Sequence, residues 1–113
     1  RDNSGVASSM TSDNIDLSTY NQVDITFDFE TVSMETGEDF FLRYSDDGGT
    51  SWTTLVIYVS GADFNNNTKY TRTISIDDGT YTFTSNAQFR FQADASANND
   101  EVFIDNIHIE GYM

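Results

Sequence analysis

Residues 101–111 read EVFIDNIHIEG, a stretch with the apolar content of a strand buried on both faces and an aspartate, Asp105, in its middle. An ionised carboxylate is costly to bury without a partner. Asp105 therefore needs a cation, a set of backbone N–H donors, or an exposed place at a sheet edge. Carboxylate ligation is the chemistry of a hard cation, so a structural calcium ion is one expectation and hydrogen bonding to loop amides is the other. A second set of residues has a different chemistry. Phe41, Arg43, Val56, Tyr58, Gln88, Arg90 and Gln92, with Asp28 and Glu30, fall on the outward positions of short alternating segments. Aromatic faces that stack on C–H-rich rings, combined with planar side chains that read hydroxyls, are what a pyranose requires. The competing reading is that Arg43 and Arg90 only pair with Asp28 and Glu30 across a solvated sheet face. Loop residues Trp52, Tyr20, Phe64 and Asn65, Asn66 and Asn67 offer an alternative site at the rim.

The segments that must position these groups have the period of strands. Asn, Asp, Ser, Thr and Gly punctuate the chain every ~8–12 residues, the signature of an all-β sandwich or barrel. With no proline, the turns rest on Gly, Asn and Asp. Residues 6–11 form an edge strand, and Ile15 and Leu17 dip into the core from the loop that follows. Residues 23–31 alternate cleanly, with Val23, Ile25, Phe27 and Phe29 inward and Asp24, Thr26, Asp28 and Glu30 outward. Phe40, Leu42 and Tyr44 point inward from residues 39–45, and Leu55, Ile57 and Val59 from residues 52–59. Tyr70, Arg72, Ile74 and Ile76 share a face of residues 69–76. A turn at 77–79 leads to a strand at 80–84 with Tyr81 and Phe83 on one side. Phe89 and Phe91 point inward from residues 87–93.

Length and composition bound the rest. The 113 residues fit one domain, since domains cluster near ~100–150 residues. The chain begins Arg1-Asp2-Asn3 without an initiator methionine and reads as a module cut from a longer protein. Nineteen Asp and Glu against five Lys and Arg give a net charge of −14, which repels a phosphate backbone and argues against nucleic acid as ligand. No apolar run approaches the ~20 residues of a membrane helix. Without cysteine there is no disulfide, thiolate nucleophile or cysteine-bound zinc. Catalysis is not indicated. His108 is the only histidine, no Ser-His-Asp arrangement or nucleophile elbow is present, and a carboxylate pair carries little signal in a chain so generally acidic.

Residues 45–52, SDDGGTSW, fit the Asp-box pattern Ser-x-Asp-x-Gly-x-Ser/Thr-Trp at every defining position. Such a box is a turn stabiliser: the Asp47 carboxylate accepts local donors and Gly49 supplies unusual dihedrals. Residues 40–55, FFLRYSDDGGTSWTTL, and 87–111, AQFRFQADASANNDEVFIDNIHIEG, together resemble the jelly-roll accessory domains of secreted bacterial enzymes, especially those of marine Bacteroidetes. The final strand is also similar to that of MAM adhesion domains, although those of animals carry disulfides. The resemblance implies an antiparallel β-sandwich of jelly-roll type, with structural calcium held by Asp105 and, as companions, Asp2 and Asp100. It further implies a secreted or cell-surface, monomeric, non-catalytic carbohydrate-binding module, covalently linked to a polysaccharide-degrading catalytic domain. The polysaccharide expected is an algal galactan such as agar or porphyran, bound through Asp28, Glu30, Phe41, Arg43, Tyr58, Gln88, Arg90 and Gln92. The alternative implied by the final strand is a MAM-like protein-interaction or adhesion module.

Overall fold

The computed structural model describes residues 9–94 and 101–113. Its strands are β1 (Ser9–Thr11), β2 (Gln22–Val32), β3 (Asp39–Ser45), β4 (Thr53–Val59), β5 (Tyr70–Asp77), β6 (Gln88–Asp94) and β7 (Glu101–Tyr112). They form two antiparallel sheets, one in the order β1-β6-β3-β4 and one in the order β5-β2-β7. There is no helix among the described residues.

The sandwich follows from the alternation in β2, the central strand of the three-stranded sheet. Val23, Ile25, Phe27 and Phe29 are all at most 1% exposed, because every second side chain enters the gap between the sheets. Phe27 meets Phe91 of β6 edge-on at 4.8 Å between ring centroids, and Phe29 meets Phe40 of β3 at 4.8 Å. Both separations lie in the range where edge-to-face rings attract. Leu42, Tyr44, Phe89 and Ala93 complete the opposite wall, as the pattern in β3 and β6 predicts. Leu17 is buried and Ile15 packs against the same core, so the loop before β2 closes one side as expected.

Strand β4 departs from expectation. Leu42 pairs with Val56 but Arg43 pairs with Thr54, so Leu55 is an extra residue, a β-bulge. A one-residue shift moves every later side chain to the opposite face. Tyr58, expected outside, is buried among Phe27, Phe29 and Phe40, while Ile57, expected in the core, is 51% exposed. Burial pushes the Tyr58 phenol above its usual range.

Two further expectations are corrected. β7, whose apolar content is that of a strand buried on both faces, turns one face to solvent, as any strand of a two-layer sandwich does, and pairs only with β2 at the edge of its sheet. Val102 is buried and Ile104 and Ile109 face the core, whereas Phe103, Asp105 and Ile107 are exposed. Residues 80–84 are not a strand. The Asp77 carboxylate accepts from the N–H groups of Gly79 and Thr80, and the chain runs on irregularly with Tyr81 and Phe83 against Tyr44. The Tyr44 hydroxyl donates to the Thr82 carbonyl at 2.7 Å, and burial pushes that phenol up to about 12.

The register of β4 is open to direct measurement. Tyr58→Ala should cost about 3–5 kcal/mol, as truncation of a buried aromatic does. Ile57→Ala should cost less than about 1 kcal/mol, like other surface substitutions. Urea unfolding of the two variants checks this, and the reverse ranking would contradict the bulge.

Candidate functional site

Because Phe40, Leu42 and Phe91 face inward, their neighbours on β3 and β6 project from the outer face of the four-stranded sheet. Phe41 lies opposite Gln92 on one side and Ile57 on the other, and Arg43 lies directly opposite Arg90. The guanidinium of Arg43 sits 4.5 Å above the Phe41 ring, and that of Arg90 sits 4.2 Å above Trp52. Both are cation–π distances, so each arginine has an aromatic support. Arg90 Nε also donates to Thr11 Oγ1 at 2.9 Å, and Gln88 Nε2 donates to Asn14 Oδ1 at 2.6 Å. The result is a strip of apolar surface and planar donors: Gln88, Trp52, Arg90, Arg43, Phe41 and Ile57.

Trp52 reaches this strip through the turn that joins β3 to β4. Asp47 Oδ1 accepts from Ser45 Oγ and from the Ser51 N–H, and Asp47 Oδ2 accepts from Ser51 Oγ at 2.6 Å. Ser45 Oγ in turn accepts from the Gly49 N–H at 2.9 Å. The hydrogen bonds from Ser51 and Ser45 hold the Asp47 carboxyl down at about 2, against an ordinary 3.8. Gly49 has φ of +93°, and a Cβ there would lie 2.8 Å from Gln88 Oε1 and 3.5 Å from the Trp52 ring. The turn therefore fits under both side chains only with glycine at this position.

The expected site residues do not all converge. Phe41, Arg43, Gln88, Arg90 and Gln92 share the outer face just described, but Tyr58 is in the core. Asp28 and Glu30 belong to β2, in the other sheet, so they neither join the arginines nor pair with them. The Asp28 side chain is already occupied: Thr71 Oγ1 donates to it at 2.6 Å and Asn106 Nδ2 at 2.7 Å, with Lys69 Nζ at 3.7 Å. The bonds from Thr71 and Asn106 lower its carboxyl. Asp24 with Ser75 and Thr26 with Thr73 make equivalent rungs between β2 and β5. On the outer face of the three-stranded sheet, Asp24, Thr26 and Asp28 thus all have partners within that sheet or its connections.

The rim alternative is dismantled in the same way. Phe64 is 3% exposed and packs on Phe29 and Phe40, and Asn66 is tied to Thr31 and Met34 by hydrogen bonds of 2.7–3.1 Å. Tyr20 lies over Gly111, where a Cβ would meet its ring at 2.6 Å. Only Trp52 of the rim set joins the sheet face. Sequence reasoning missed Ile57 as the neighbour of Phe41 and Thr11 as the partner of Arg90, since neither the bulge nor the strand order can be read from alternation.

The cation expected at Asp105 finds no support among the described residues. Asp105 is exposed beside a bulge opposite Phe27, and its Oδ1 accepts from the Asn106 N–H at 2.8 Å. Asp105 thus stands on the edge strand of its sheet with a local amide donor. Among the described residues no three His, Asp or Glu side chains converge as a metal site. Asp2 and Asp100 lie outside the described residues.

With this geometry established, the chain can be set beside known proteins. Residues 3–110 match the family described as Reelin subrepeat B. The chain belongs to the Reelin subrepeat B family. No curated protein sequence matches it. Among solved structures, one described as "CBM4 structure and function" matches with a TM-score of 0.58 at 11% identity, covering 96% of this chain and 79% of that one. A carbohydrate-binding module specific for non-crystalline cellulose, CBM28, matches with a TM-score of 0.47 at 17% identity, covering 91% of this chain and 65% of that one. The first likeness establishes that this subrepeat B chain has the fold of that jelly-roll module.

The turn that carries Trp52 makes a pH-dependent contribution to stability in this subrepeat. Asp47 has a folded value below its unfolded one, so its contribution is complete above about pH 4 and is lost as pH falls toward about 2. The stability gap between wild type and Asp47→Ala should therefore narrow between about pH 5 and pH 2 in urea titrations. A gap independent of pH would contradict the hydrogen-bonding scheme.

Proposed function

We propose that this chain is a non-catalytic carbohydrate-binding module whose ligand lies along the outer face of the β1-β6-β3-β4 sheet. The observation that carries this reading is the strip of Trp52, Arg90, Arg43 and Phe41, in which aromatic rings support the guanidinium donors. Arginines restrained in this way lose less freedom when they bind, so each hydrogen bond to a sugar hydroxyl contributes more net affinity. Ile57 and the exposed parts of Phe41 and Trp52 supply apolar surface for the C–H faces of the sugar. Gln88 adds an amide beside Trp52. The likeness of the fold to a CBM4 module supports the reading.

The finer proposal keeps the setting implied by residues 40–55 and 87–111. The module is part of a secreted or cell-surface bacterial protein and tethers a polysaccharide-degrading catalytic domain to its substrate, a galactan such as agar or porphyran. A second reading, a protein-interaction or adhesion module, is favoured by one observation. The edge strand β7 exposes Phe103, Ile107 and Tyr112, each more than 40% accessible. An exposed apolar edge of this kind is a surface for a protein partner.

Affinity electrophoresis against a panel of polysaccharides distinguishes the two readings. Under the glycan reading, at least one polysaccharide retards the wild type, and Trp52→Ala abolishes the retardation while Phe103→Ser leaves it intact. Retardation by no glycan, together with self-association or protein binding lost in Phe103→Ser, would favour the second reading. A structural calcium ion through Asp105 is a separate proposal, and it predicts a melting temperature lowered by chelator, since a ligand bound only to the folded state stabilises it. An unchanged midpoint would remove it.

A further inference from the structure

The arginines of the outer face present a problem that a neutral ligand does not solve. Arg43 and Arg90 are directly opposite each other on neighbouring strands, where like charges repel. The chain has 19 carboxylates for five Lys and Arg, so partners are abundant. Yet among the described residues neither arginine has a carboxylate within salt-bridge distance, whereas Lys69 reaches Asp28 at 3.7 Å. Each guanidinium is instead placed over a ring, Arg43 over Phe41 and Arg90 over Trp52. Arg43 Nε is buried and has no hydrogen-bond acceptor among the described residues. Arg90 spends its Nε on Thr11 and makes no other hydrogen bond among the described residues.

Resting on the reading of this face as a glycan-binding surface, we propose that Arg43 and Arg90 form a subsite for the anionic group, carboxylate or sulfate, of an acidic sugar in the bound polysaccharide. The chemistry is one of matching numbers. A hydroxyl accepts few donors and carries no charge, so it offsets neither of the two cations on these neighbouring strands. A carboxylate or sulfate offers several acceptor oxygens at once and cancels the repulsion, through charge-assisted hydrogen bonds about twice as strong as neutral ones. The planar guanidinium suits either group. The net charge of −14 repels a polyanion at long range, so selectivity must come from this contact and not from steering. Apolar surface on Phe41 and Ile57, adjacent to the subsite, then receives the ring that carries the acid.

The test is native affinity electrophoresis in gels holding a neutral galactan (agarose), a polyuronate (polygalacturonate) or a sulfated galactan (carrageenan). Wild type is compared with Arg43→Gln, Arg90→Gln and Arg72→Gln. The last makes the same change in net charge on a strand of the other sheet, so it controls for bulk electrostatics. Wild type should bind one acidic polymer at least about tenfold more tightly than agarose. That preference should fall by about tenfold in Arg43→Gln and in Arg90→Gln and should persist in Arg72→Gln. The polymer retained identifies the group as carboxylate or sulfate. Thermal melts verify folding, and if Arg43→Gln fails to fold, Arg90→Gln reads the same subsite. Equal binding of agarose and both acidic polymers, or a preference that survives both substitutions, would overturn the anionic subsite and leave glycan binding standing. Binding to none of the three, nor to any glycan of a wider neutral panel, would remove both.

Discussion

Two phenylalanines of β2 set the geometry of this protein. Phe27 and Phe29 cross the gap between the sheets and meet Phe91 and Phe40 edge-on, each at 4.8 Å. Those contacts fix the spacing and the register of both layers. Since side chains alternate along a strand, placing Phe40, Leu42, Phe89 and Phe91 inside obliges Phe41, Arg43, Gln88 and Arg90 to lie outside. The candidate site is the other side of the core. Its rigidity comes from the same residues that exclude water from the interior.

Local irregularities then decide the composition of each face. The extra residue Leu55 rotates the rest of β4, exchanging Tyr58 for Ile57 on the outer surface. The Ser45–Trp52 turn, held by the Asp47 carboxylate and by glycine at 49, delivers the indole to Arg90. A second bulge, in β7 opposite Phe27, puts Asn106 at φ of 53° with its side chain on Asp28. That contact completes the pairing of Asp28 on the outer face of the smaller sheet. The two outer faces are chemically opposite: one pairs Asp24 and Asp28 with hydroxyls and an amide, and on the other neither arginine has an acid partner among the described residues.

What could be read in the sequence follows the physics of alternation. β2, β3 and β6 announce their inner faces because each holds an unbroken period of two against one core. β4 does not, since a bulge leaves no mark in a run as uniformly apolar as Leu55-Val56-Ile57. The apolar content of β7 suggests burial on both faces, but a strand of a two-layer sandwich turns one face to solvent, and its place at a sheet edge is a property of strand order. Strand order also separates Asp28 and Glu30 from Arg43 and Arg90, although all four are outward residues of their own strands. Tyr81 and Phe83 alternate like a strand and serve as loop anchors for Tyr44. Membership of the Reelin subrepeat B family lies in the whole pattern and in none of these residues singly.

The central claim is that ligand meets the protein on the face shared by Trp52, Arg90, Arg43 and Phe41. Trp52 is the only tryptophan in the chain and stands on that face, so its fluorescence reports contact there and nowhere else. Titration of the protein with a polysaccharide that retards it should shift or quench this emission along a saturable curve, and the same midpoint should appear in calorimetry. Saturable binding by calorimetry with an unaltered tryptophan signal would place the ligand elsewhere and contradict the account.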